Sequence, residues 1–280
     1  MAPLGFSGCG NSSSPAAGSG SPGLVLTANL AGTTVDRQQV LVWEARRLQV
    51  VATRMSGNLV ASRIEDLTAL ILRPAEDTSN IAQERQLLAD AKIKAGDEAM
   101  KRLVASDLLI SRPAMDLAAT VPGYSTSQID IFSNQGTAEG FASWFVDHAI
   151  TLDDERSMLV ACPDHYVIRT AAPDGQNVYE ETGGALLVSN FIVNYADAAG
   201  LPIVAEPDFP VRLAGAASSA NGTVVGGVNH RFKNLDQGFQ ARVAVFFPAA
   251  LPFWFVTEHR WHLACEFSNW ITAYLGQTSG

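Results

Sequence analysis

The sequence is short of charge, of cysteine and of basic runs, and each shortage removes a class of protein. Charged residues make up 17% of the 280 positions, against roughly 25% in ordinary soluble domains. Lys and Arg number 19 against 28 Asp and Glu, a formal charge of -9. A nucleic-acid groove needs clustered Lys and Arg, so no nucleic-acid partner is expected. Anionic membrane surfaces are disfavoured for the same reason. Three cysteines cannot build a disulfide framework, and no C-x-x-C occurs. No stretch reaches about 18 continuous apolar residues, so no membrane span is expected. Neither a G-x-S-x-G elbow nor a glycine-rich phosphate loop after a strand is present. What remains is an acidic, fairly apolar globule, 47% hydrophobic and long enough to bury a substantial core.

The chain divides by texture. Residues 1–23 are mostly Gly, Ser, Ala and Pro, a composition that cannot offset the entropy of ordering and is expected to be disordered. No basic start or apolar run precedes the segment 6–9, so no signal peptide is expected and the cytoplasm is the expected location. Residues 24–135 read as an N-terminal, largely helical region. A short strand at 24–30 comes first, then a helix over 36–55. One long or two short helices follow over 78–105, broken near Gly96. Ser111-Arg112-Pro113 marks a boundary, because the residue before proline resists the helical region. Thr137 to Ile150 reads as an amphipathic helix.

From Asp153 onward the texture becomes strand-like. Strands are expected at 157–161, 166–170, 177–179, 185–191, 211–213, 223–231 and 238–247, with a turn at Pro173-Asp174-Gly175. A final helix starts at Thr257, which can cap it. The expected class is therefore α+β: helices, then a mostly antiparallel sheet, then one helix to cover a face of that sheet.

Five histidines are present, and four follow the change of texture. The clearest pair is His262 with Glu266. A spacing of four puts both on one helix face, where they suit a divalent metal such as Zn²⁺ or make a solvent-facing pair. Glu266 sits in an apolar stretch, and a buried charge needs a partner. His259 can share that face as an alternative ligand. His165, in Cys162-Pro163-Asp164-His165, opens a strand and can point under the sheet or close a turn. Glu180 and Glu181 are adjacent on a strand, so one faces inward, and Gly183-Gly184 lets the chain bend or approach something closely. His230 lies within a strand, as an acid–base group or a packed core residue. Cys162 and Cys265 read as small buried hydrophobes. Trp144 and Trp254 can serve a homodimer contact or the core.

Taken in order, Pro163-Asp164-His165, Glu180 with Gly183-Gly184, His230 with Asp236, Gly238 and Arg242, and His262 with Glu266 and Asn269 resemble the 2,4-diacetylphloroglucinol hydrolases, which include phloretin hydrolase-like enzymes. The likeness covers about half the chain, from Gly140 onward. Ser157 stands where that family has a tyrosine. The resemblance implies a Bet v 1-like helix-grip domain over 136–280. It also implies one Zn²⁺ held by His165, Glu180, His262 and Glu266, with His230 as the catalytic or substrate-orienting histidine. The implied reaction is retro-Claisen hydrolysis of the C–C bond between an acyl group and a phloroglucinol-like ring. Its substrate would be a small phenolic ketone. The alternatives of the same fold are a non-catalytic aromatic-ligand binding protein and a polyketide cyclase or dehydratase.

Overall fold

The computed structural model describes residues 23–57, 67–171 and 174–278. The segment expected to be disordered, 1–23, lies outside them except for Gly23, and so does Pro173 of the expected turn.

β1 (Leu26–Leu30) and β2 (Thr33–Asp36) form a hairpin. α1 (Arg37–Ser56) follows at once, because Asp36 and Gln39 make a reciprocal capping box. Its buried residues, Val40, Glu44, Ala45, Leu48, Val51, Ala52 and Met55, recur at helical spacing and form one stripe. Four helices follow: α2 (Thr68–Leu72), α3 (Ile81–Ala95), α4 (Asp97–Leu103) and α5 (Ala105–Ala118). The break at Gly96, expected from the sequence, falls at a positive φ of 82°. Pro113 ends no helix and lies inside α5. β3 (Tyr124–Ser133), α6 (Ala138–Val146) and a π-helical turn at Asp147–Thr151 come next.

The expected strand at 157–161 is instead α7 (Glu155–Leu159). Asp154 decides the matter, since its carboxylate accepts from the Ser157 amide and hydroxyl and starts a helical turn. The remaining strands are β4 (His165–Ala171), β5 (Gly175–Glu180), β6 (Ser189–Asn194), β7 (Val211–Ser218), β8 (Val224–Asn234) and β9 (Phe239–Pro248). α8 (Phe253–Thr278) ends the fold. It begins before Thr257, whose hydroxyl donates back to the Phe253 carbonyl from within the helix and caps nothing.

The nine strands of the described residues form one antiparallel sheet in the order β2-β1-β3-β9-β8-β7-β6-β5-β4. The α+β expectation holds at this level: a large antiparallel sheet with a C-terminal helix. The division at 135/136 is no boundary of the sheet. β1, β2 and β3, all from the region read as largely helical, pair onward to β9. α8 meets β3 near one end of the strand order and the β4–β5 hairpin at the other, so the sheet wraps around it. Residues 262–271 of α8 are all buried, as befits a helix enclosed on every side.

Two large apolar clusters and a small one of Val193, Ala217 and Val228 fill the interior of the described residues. One lies between sheet, α6 and α8, with Phe141, Phe232, Phe239 and Phe267 at its centre. The other lies between the N-terminal helices and the outer face of β4–β5. Ile168 and Val178 face the first cluster, while Val167 and Tyr179 face the second. The hairpin is thus buried on both sides.

Candidate metal centre

A bulge sets the site. Pairing slips between His165 and Val167 at the start of β4. Without the slip, His165 would share the face of Val167 and point at the N-terminal helices. With it, His165 turns toward α8 and lies across from Glu180 at the end of β5. His262 and Glu266 come to the same point from α8, one turn apart. His165 Nε2 is 3.3 Å from His262 Nε2, 3.3 Å from Glu266 Oε2 and 3.7 Å from Glu180 Oε2. His262 Nε2 is 3.7 Å from each of the two carboxylate oxygens. All four residues are buried.

The ring orientations suit ligation. His165 Nδ1 is 2.8 Å from the Met158 carbonyl. A carbonyl only accepts, so Nδ1 carries a proton and Nε2 is the nitrogen that faces the cluster. His262 turns its Nδ1 the other way, 3.8 Å from Asp164 Oδ2 and 3.7 Å from Cys162 Sγ. Cys162, His165 and His262 form a buried group that could hold a metal ion, with donor atoms within 4.8 Å of one another. Cys162, however, meets the far side of the His262 ring from the two carboxylates, and burial pushes its thiol well above the ordinary value.

The electrostatics call for positive charge. Burial alone would lower the His262 imidazolium, but Glu180, Asp164 and Glu266 outweigh it and hold it well above its usual value. Burial would raise Glu266, but the two imidazoles hold it far below the carboxylate range. Burial keeps Glu180 raised despite them. The His262 imidazolium thus carries positive charge beside the buried Glu266 carboxylate, the place that a bound cation would take.

His165, Glu180 and Glu266 also line a cavity of about 800 Å³, its open mouth included. Its walls are mostly apolar and aromatic, with Phe145, Phe191, Phe267 and Trp270 among them, and among the described residues no Lys or Arg faces it. His230 lies on this wall, from β8, with its ring 4.8 Å from that of Phe267. Burial lowers its pKa to about 4, so it is neutral near pH 7. Its Nδ1 has no hydrogen-bond partner among the described residues.

The structure therefore brings His165, Glu180, His262 and Glu266 to one point and sets His230 on the adjoining wall. His259 stacks on His262 at 5.3 Å, and its Nδ1 lacks a partner among the described residues. It is absent from the cavity lining. Glu181 leaves the strand and meets Arg47 and Arg54 of α1. Trp144 is buried, its indole N–H donating to Gln277, whereas Trp254 is half-exposed. Sequence reading missed Tyr195 and Gln176, which line the cavity and share a 3.0 Å hydrogen bond. Nothing local marks them, because β5 and β6 bring them together.

Among the described residues no helix is long and apolar enough to cross a membrane. No protein-family profile and no curated protein matches the chain. Among solved structures it is similar to Ara h 8.0201, at 16% identity over 55% of this chain and 99% of that one, with a TM-score of 0.35. Likeness at that level leaves fold and chemistry to be argued from this chain's own residues.

Proposed function

We propose that the protein is a zinc-dependent hydrolase on a Bet v 1-like helix-grip fold. It cleaves the C–C bond between an acyl group and a phenolic, phloroglucinol-like ring. One observation carries the reading: the His165 and His262 Nε2 atoms lie 3.3 Å apart and 3.3–3.7 Å from the Glu180 and Glu266 carboxylate oxygens, and three of these four residues line an apolar cavity. Donors placed tetrahedrally at zinc bond lengths stand about 3.3 Å apart. The orientation of the His165 ring supports the same assignment. A bound zinc ion supplies Lewis acidity for a carbonyl and a lowered pKa for water.

The chain's own residues supply the rest. Aromatic walls with no Lys or Arg among the described residues accept a flat, neutral ring and offer an anionic substrate no side-chain cation to pair with. His230 is neutral, so its unpartnered Nδ1 can take a proton or orient a phenolic hydroxyl. The reaction balances with water alone. The acyl carbon gains the hydroxyl and leaves as a carboxylic acid, while the ring carbon keeps the bonding pair and takes a proton.

The test is incubation of zinc-loaded protein with a panel of acylphloroglucinols and dihydrochalcones, reading released acid. Acid and deacylated ring should appear in equal amounts. His230→Ala should retain zinc and lose about 10²–10⁴-fold in kcat. Tight binding of the ring compounds without acid would make the protein a carrier of aromatic ligands. A linear polyketide consumed without acid would make it a cyclase.

A further inference from the structure

The N-terminal helices do more than cover the hairpin. Asp164 precedes the ligand His165, and Glu181 follows the ligand Glu180. Both are acidic and buried, and both lead to one side chain. Arg47 Nε donates to the two carboxylate oxygens of Asp164 at 2.8 and 3.0 Å, while its Nη2 donates to Glu181. The two flanking residues are also joined through the backbone, where the Glu181 amide donates to the Asp164 carbonyl at 3.1 Å. Asp164 in turn faces His262 Nδ1. Three of the four donor residues thus stand next to a group that Arg47 grips.

We propose that Arg47 of α1 is a positioning residue of the metal site, clamping Asp164 and Glu181 so that His165, Glu180 and His262 keep their convergent geometry. The inference rests on the metal reading above. A planar guanidinium suits the task, since it can hold two carboxylates at fixed angles where an ammonium acts as a point charge. The surroundings reinforce the clamp. Arg54 donates to the other Glu181 oxygen at 2.8 Å and to Asp107 at 2.6 Å. Lys92 of α3 donates to the Pro163 and His165 carbonyls, both at 2.6 Å. The corner carrying His165 is therefore tied from two helices.

A matched control joins the same helix to α3. Arg85 holds Glu44, three residues before Arg47, in an ion pair of nearly equal burial: side-chain exposures are 15% and 0%, against 14% and 0% for Arg47 and Asp164. The experiment measures zinc affinity by chelator competition for the full chain, Arg47→Met, Arg47→Lys and Arg85→Met. Each protein is also loaded with cobalt(II) for its visible spectrum. Loss of an outer-shell partner typically weakens a metal by about 10–100-fold. Both Arg47 variants should show that loss and altered cobalt bands, while Arg85→Met should be less stable but bind as the parent does. If Arg47→Met does not fold, Arg47→Lys decides. Parental affinity and spectrum in a folded Arg47 variant would overturn the proposal, as would an equal loss in Arg85→Met. A parent chain that binds no zinc would sink the metal reading itself, a result distinct from either.

Discussion

A carboxylate stays charged away from water only where something positive meets it, and Glu266 meets two imidazoles at 3.3 and 3.7 Å. Its neutral isostere keeps the shape and removes the charge. Outer-shell partners are worth about 10–100-fold in metal affinity, so Glu266→Gln, which strips a proposed ligand, should cost more than that in a zinc competition assay. His230 gives a separate expectation from its proton. Burial lowers its pKa from 6.5 to about 4. Between those values the unfolded chain binds a proton that the folded chain does not, so stability is full above pH 6.5 and falls as the pH drops toward 4. The contribution at stake is about 2–3 kcal/mol. Urea unfolding at pH 7 and pH 4.5, with chelator present, should show that much less acid sensitivity in His230→Phe. Equal sensitivity in the two proteins would mean that His230 is not the buried neutral group described. The residue types of this site were legible in the sequence, because His262 and Glu266 share a helix face by spacing alone. The partners Asp164 and Arg47 were not, since only the tertiary fold brings α1 to the His165 corner.

At the scale of elements, the site depends on how the β4–β5 hairpin ends against α8. Gly183 has φ of +65°, and a Cβ there would meet the His259 backbone nitrogen at 2.6 Å. The close approach expected of Gly183-Gly184 is thus an approach to α8. Gly183→Ala should cost about 1–3 kcal/mol from backbone strain alone. By pushing the turn off the helix it should also displace Glu180, three residues earlier, and weaken zinc binding. Unchanged stability by thermal melting would contradict the packing. Two elements misled sequence reading for identifiable reasons. The run Met158, Leu159, Val160, Ala161 has strand texture, yet the Asp154 cap makes its start a helix. Pro113 has a breaker's chemistry, yet α5 runs through it. Its neighbour Ser111 donates to the Val188 carbonyl, and Arg112 donates to Asn190. Tertiary contacts to β6 and the turn before it thus override the local preference.

Across the whole molecule, the scarcity of charge acquires a meaning. An apolar cavity with no Lys or Arg among the described residues occupies the space between sheet and helix, and many of the buried charges gather at the candidate metal site and in the ion pairs behind it. The nine-stranded closure was beyond the sequence, because pairing β3 to β9 joins Tyr124 to Pro248 across more than a hundred residues with no local sign. A ligand that ties β4, β5 and α8 together should stabilise them as one unit. At free zinc 100 times its Kd the gain is about 2.7 kcal/mol, or about 5–10 °C in Tm for a chain of this size. Chelation should remove it reversibly. The most direct test of the account is the zinc content of the native chain by mass spectrometry under non-denaturing conditions. One ion per chain, kept in His230→Ala and lost in Glu266→Gln, is the predicted result. A chain that takes up no zinc, or a Glu266→Gln variant that holds it as tightly as the parent, would contradict it.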